Sequence, residues 1–122
     1  MTEPKAKPPI LSTSQSAAFA KIGRMLSVAQ RYMGKQASVR RLEVFLFIAT
    51  EEPVFLQDII NRLAGNPATL WADLEVMSRY DEAGGEGIGL ILSRPTHDLS
   101  RDRYRLSTKG RRMVRDLLRP LE

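Results

Sequence analysis

The chain has 122 residues, 43% of them hydrophobic and 27% charged, which is enough for one domain with a buried core and typical of globular protein. The absence of cysteine excludes disulfides and thiolate metal sites, and a single histidine, His97, argues against a histidine-based metal site or catalytic triad. The net charge of +5 is unevenly spread: residues 1–42 and 94–119 are basic, whereas residues 43–87 hold nine Asp/Glu against Arg62 and Arg79. Basic ends favour an anionic partner, and the acidic middle opposes one.

Residues 1–13 contain Pro4, Pro8, Pro9 and two lysines, the composition of a disordered basic arm. The stretch MTEPKAKPPILSTSQS has no apolar signal core and no run of eighteen apolar residues follows, so a cytoplasmic protein without a membrane span is expected. Ser14 or Ser16 is placed to cap a helix reaching Met33, with Gly34 as its stop. Phe19, Ile22, Met25, Leu26, Ala29 and Met33 recur at steps of three and four, which makes a helical stripe.

Ser38 opens a second helix, apolar almost all round through Leu42, Val44, Phe45, Phe47, Ile48 and Ala49 and ended by Glu51-Glu52-Pro53. Val54-Phe55 is a connector into a third helix, Leu56 to Ala64, with Gly65 at its C′ position. Asn66 caps a fourth helix with Pro67 in its first turn, extending to about Tyr80. Two short helices joined at Gly65-Asn66 are a helix-turn-helix signature.

The segment Asp81 to Gly87 is glycine-rich and acidic, a loop. Residues 88–94 then form one strand, 95–101 a polar tip, and Asp102-Arg103-Tyr104-Arg105-Leu106-Ser107 the returning strand, with arginines outward and Tyr104 and Leu106 inward. Ser107 caps a final helix over 108–119, whose Met113, Val114, Leu117 and Leu118 share one side. A basic strand feeding a basic helix behind a helix-turn-helix is how a DNA-binding wing is built. The fold expected is mainly α with a two-stranded β wing: a winged helix-turn-helix over residues 14–122 with an N-terminal dimerisation helix.

The order of elements over residues 15–119 resembles the MarR-type winged-helix transcriptional regulators. The resemblance rests on Leu106-Ser107-Thr108-Lys109-Gly110, where that family shows a Leu-Thr-Pro-Lys-Gly-like turn, and on Thr69-Leu70 followed by Leu74 and Met77. It implies a dimeric, sequence-specific regulator of double-stranded DNA, with a small-molecule effector of unknown identity. The chain departs from the family in Ala72, where a basic residue is usual, in Asp73 and Glu75, and in the long loop DEAGGEG.

On a helical wheel Leu70, Leu74 and Met77 face the core with Asp73 at the edge. Ala68, Thr69, Trp71, Ala72, Glu75 and Arg79 then point to the major groove, although Trp71 equally suits a core position. Arg101, Arg103 and Arg105 of the wing are expected on phosphate or in the minor groove, with Asp98 or Asp102 orienting one of them. Arg40 and Arg41 would add phosphate contacts, and His97 is a surface residue. Phe19, Ile22, Met25, Leu26 and Met33, closed over by Leu117, Leu118 and Leu121, form the expected dimer surface. No cofactor or metal is expected. The alternative function is a protein-interaction module that uses the acidic fourth helix. An enzyme is the weakest reading, because Gly84-Gly85-Glu86-Gly87-Ile88-Gly89 lacks the strand that a dinucleotide fingerprint needs.

Overall fold

A computed structural model describes residues 10–63, 65–78, 87–94 and 103–122. Helices α1 (Thr13–Met33), α2 (Val39–Glu51), α3 (Leu56–Arg62), α4 (Pro67–Met77) and α5 (Thr108–Leu118) account for most of it. Strands β1 (Val54–Phe55), β2 (Ile91–Arg94) and β3 (Arg103–Leu106) make a small antiparallel sheet in the order β1-β3-β2. Short 3₁₀ turns follow α1 at Gly34–Gln36 and α5 at Arg119–Leu121.

The helix starts follow local capping chemistry. Ser12, rather than Ser14 or Ser16, caps α1 through a full capping box: its hydroxyl accepts from Gln15 N, and Gln15 Oε1 accepts from Ser12 N. Only a box satisfies two orphan N–H groups at once, which favours the earlier serine. Helix α1 therefore begins slightly earlier than expected, and residues 1–9 of the expected arm lie outside the described residues. Ser38 caps α2, Asn66 caps α4 with Pro67 after it, and Ser107 caps α5, each as expected.

Two boundaries differ from expectation. Helix α3 stops at Arg62 with Leu63 in an extended C-cap, so Gly65, at φ +132°, lies beyond the C′ position. The sheet has three strands rather than the two expected, because Val54-Phe55 pairs with β3, Val54 opposite Tyr104 and Phe55 opposite Arg103. The inward-outward alternation Val54, Phe55 matches that of Arg103, Tyr104, and burying Val54 beside Tyr104 rewards the pairing.

One core joins these elements. Val44, Phe45 and Ile48 of α2 meet Ile59, Leu70, Leu74 and Met77 of the α3–α4 pair, Leu90 just before β2, Ile91, Tyr104 and Leu106 of the sheet, and Met113 of α5. Ala29 and Met33 bring in the carboxyl end of α1. By contrast, every α1 residue from Thr13 to Ala20 is exposed.

The motif Leu106–Gly110 has a local mechanical role. Ser107 Oγ donates to Gly89 O at 2.6 Å and accepts from Gly110 N at 3.0 Å, and Lys109 Nζ donates to Ile88 O at 2.8 Å. A Cβ on Gly110 would collide with the Leu90 carbonyl oxygen, so only glycine lets α5 pack this closely. The strip 88–90 is in turn tied to the end of α4 by Ile88 N to Val76 O and Leu90 N to Met77 O, both 2.8 Å. The motif thereby links α5, the sheet and α4.

Candidate nucleic-acid interface

Helix α4 divides the residues expected to meet the groove. Leu70, Leu74 and Met77 are buried, as the wheel requires, and Ala68, Thr69 and Ala72 are exposed. Trp71 is half-buried and packs on the core, the second of the two positions expected for it, and so does not stand out toward a groove. Its indole adds apolar contact that an outward position would forfeit. Glu75 is also half-buried, with Oε1 out of solvent, and so does not project from the outer face. Arg79 and Arg101, with His97, Asp98 and Asp102, lie outside the described residues.

The arginines expected on phosphate at the start of α2 turn inward. Asp73 is 5% exposed, and its Oδ1 accepts from Arg41 Nε at 2.9 Å, while Arg40 Nε lies 3.9 Å from Oδ2. Arg41 Nη1 is further held by the backbone and side-chain oxygens of Gln36, at 2.9 and 2.7 Å. The Arg40 guanidinium also lies against Gly65, where an added Cβ would stand 2.7 Å from Nη2. The cause is the packing of α2 on α4, which buries a carboxylate that must be paired. Asp73, placed by the wheel at an edge, thus engages both arginines.

The sheet keeps its arginines outside. Arg103 and Arg105 are exposed, alternating with buried Tyr104 and Leu106. Arg94 stands opposite Arg103 and Leu92 opposite Arg105, so directly paired residues extend the same outer face. Arg94 was not singled out from the sequence; extending the alternation of β3 across the hairpin finds it. Arg103 Cζ lies 5.2 Å from the centroid of the Phe55 ring. Beside this face is a cleft of about 710 Å³, lined by residues of β2 and β3, by Glu52 and Pro53, and by Arg111 of α5. Glu52 was likewise missed: Oε2 accepts Leu106 N at 2.7 Å, and Oε1 lies 2.8 Å from Arg111 Nη2.

The expected dimer surface also divides. Phe19, Ile22, Leu26, Leu118 and Leu121 are each about half exposed, from 48% to 59%, and Met25 is half-buried. Met33 and Leu117 are buried at 3% and 4%, and they belong to the core of this chain, because α1 and α5 pack together at that end. The same contact brings Tyr32 Oη within 2.6 Å of Asp116 Oδ2, and Arg31 Nη2 within 3.3 Å. The Tyr32 hydrogen bond, helped by the charges of Arg119, Arg31 and Arg115, holds the Asp116 carboxyl below its ordinary value. That bond and burial raise Tyr32 above its own.

Among the described residues no group of three His, Asp or Glu is placed to hold a metal ion, and no helix is long and apolar enough to cross a membrane. The chain matches no family model, no curated protein and no solved structure.

Proposed function

We propose that the protein is a dimeric winged-helix regulator that binds double-stranded DNA, of the kind the MarR-type resemblance implies. Helix α4 enters the major groove and the β2–β3 hairpin lies on the backbone or in the minor groove. The observation that carries this reading is the outer face of the sheet, where Arg94, Arg103 and Arg105 have no carboxylate partner among the described residues. Arginines in that state bind phosphate readily.

Helix α4 suits the reading in shape: Ala68 and Ala72 permit close approach of its exposed face, and Thr69 offers a hydroxyl to a base edge or phosphate. A protein-interaction role for this helix would need its acids outside. Asp73 is buried in ion pairs and Glu75 is half-buried, so little acidic surface is left for a basic partner.

A dimer follows from α1. Its residues from Thr13 to Ala20 are all exposed, and the apolar stripe of Phe19, Ile22 and Leu26 along it is about half exposed. Isolated helical turns are marginal in water, so a second copy of α1 is the natural cover. Selection of bound sequences from random duplex DNA, followed by titration against salt, tests the function. The expected result is an enriched pseudo-palindrome and a log–log salt slope of about −0.9 per phosphate contact. Binding that is absent, or indifferent to salt, refutes it.

A further inference from the structure

The cleft beside the β-hairpin is concave, and among the described residues its charged lining is four arginines against one carboxylate. Arg94, Arg103 and Arg105 line it from the sheet and Arg111 from α5. Its one described carboxylate, Glu52, is already engaged by Leu106 N and by Arg111. At about 710 Å³ it falls within the range of roughly 300–1,000 Å³ that holds small organic ligands. Leu92 and Pro53 add apolar wall to the arginines. Guanidinium groups bind planar carboxylates and phosphates in two-pronged fashion, which gives geometry as well as charge.

We propose that this cleft binds a small organic polyanion, a compact body carrying at least two carboxylate or phosphate groups, that competes with DNA for Arg94 and Arg105. The body lies against Leu92 and Pro53, and Arg94 and Arg105 grip the anionic groups. The competition rests on the DNA reading given above; the anion site does not. Because the two ligands share arginines, occupancy of the cleft removes phosphate contacts from the hairpin and lowers DNA affinity.

The test is calorimetric titration of the full chain with two probes, adenosine triphosphate without metal and benzene-1,3,5-tricarboxylate, at low and moderate salt. Saturable binding of one probe molecule per chain is expected. A response to the nucleotide alone assigns a phosphate ligand, and a response to the tricarboxylate alone a carboxylate ligand. Arg94→Gln and Arg105→Gln, confirmed folded by circular dichroism, should each weaken the bound probe about tenfold. Arg24→Gln, on the exposed face of α1, should leave it unchanged. Non-saturating heats, binding at several equivalent sites, or affinity unaltered in both sheet variants would overturn the proposal. A parallel duplex titration separates the two readings. Failure to bind duplex with the probes still bound removes the DNA function alone. Duplex binding with no probe binding removes the anion site alone.

Discussion

Asp73→Ala removes the carboxylate shared by both arginines at the start of α2, and its cost can be worked from the geometry. Breaking a fully buried ion pair costs about 3–5 kcal/mol, because the remaining charge stays buried without compensation. Here the Asp73 side chain is 7% exposed, but those of Arg40 and Arg41 keep 29% and 22%. Both guanidinium groups can therefore regain some water, and Arg41 retains Gln36. The expected loss is accordingly about 2–3 kcal/mol, near the bottom of that range or just below it. For a chain of this size that lowers the melting temperature by roughly 8–12 °C. Urea denaturation should show the midpoint falling with the slope unchanged. Arg41→Ala combined with Asp73→Ala should cost less than the sum of the two, with a coupling energy of about 1–2 kcal/mol. A loss below about 0.5 kcal/mol, or additivity, would mean that the pair does not tie α2 to α4. In a DNA titration Arg41→Ala should leave the salt slope unaltered; a slope lowered by about one unit would restore Arg41 to phosphate.

Gly110→Ala should destabilise the fold by about 2–3 kcal/mol, since its methyl group meets the Leu90 carbonyl oxygen, a backbone atom that cannot swing aside; an unchanged thermal melt would show that α5 shifts freely. Leu26→Lys should convert the proposed dimer to a monomer in sedimentation equilibrium while leaving the circular dichroism intact, because Leu26 is 52% exposed within a single chain; wild-type protein that is monomeric at tens of micromolar refutes the α1 interface. Asp116 titrates below its ordinary value, so the stability it contributes is complete above about pH 4 and is lost as pH falls through its depressed value. Tyr32 titrates above its ordinary value, so its contribution is complete below about pH 10 and is lost as pH rises further. Tyr32→Phe should therefore flatten the acid and alkaline limbs of the stability profile; denaturation midpoints that keep both limbs would show that the hydrogen bond is not their source.

What could be read from the sequence was what is decided within a few residues. Ser38, Asn66-Pro67 and Ser107 each satisfy orphan N–H groups one turn away, and the Tyr104/Leu106 alternation is a property of one strand. What could not be read was set by partners distant in the chain. Arg41 and Asp73 are thirty-two residues apart, and nothing local distinguishes an arginine that faces solvent from one that meets a buried carboxylate across a helix pair. Glu52 reaches Leu106 over fifty-four positions, and β1 exists only because β3 passes beside it. Met33 ends a stripe that continues from exposed helix into core, where Leu117 of α5 is also buried, and periodicity marks the stripe without showing where the cover begins.

These long-range pairings also bear on the objection raised by the acidic middle of the chain. Nine carboxylates between residues 43 and 87 would repel a nucleic acid if all faced outward. Asp73 is instead buried against Arg40 and Arg41, Glu52 is held by Leu106 N and Arg111, and Glu75 is half-buried. Asp58 accepts the N–H of Phe55 at the start of α3, at 3.3 Å. Four of the nine are thereby committed within the fold or drawn partly out of solvent. The arginines of the sheet's outer face keep no such partner among the described residues, so the surface offered to an anion there is more basic than the linear charge pattern implies. Glu52 lines the cleft beside that surface and ties the end of α2 to β3, and Asp73 ties α4 to α2. Both are acids whose removal should weaken rather than strengthen a DNA complex, opposite in sign to what their charge alone would give.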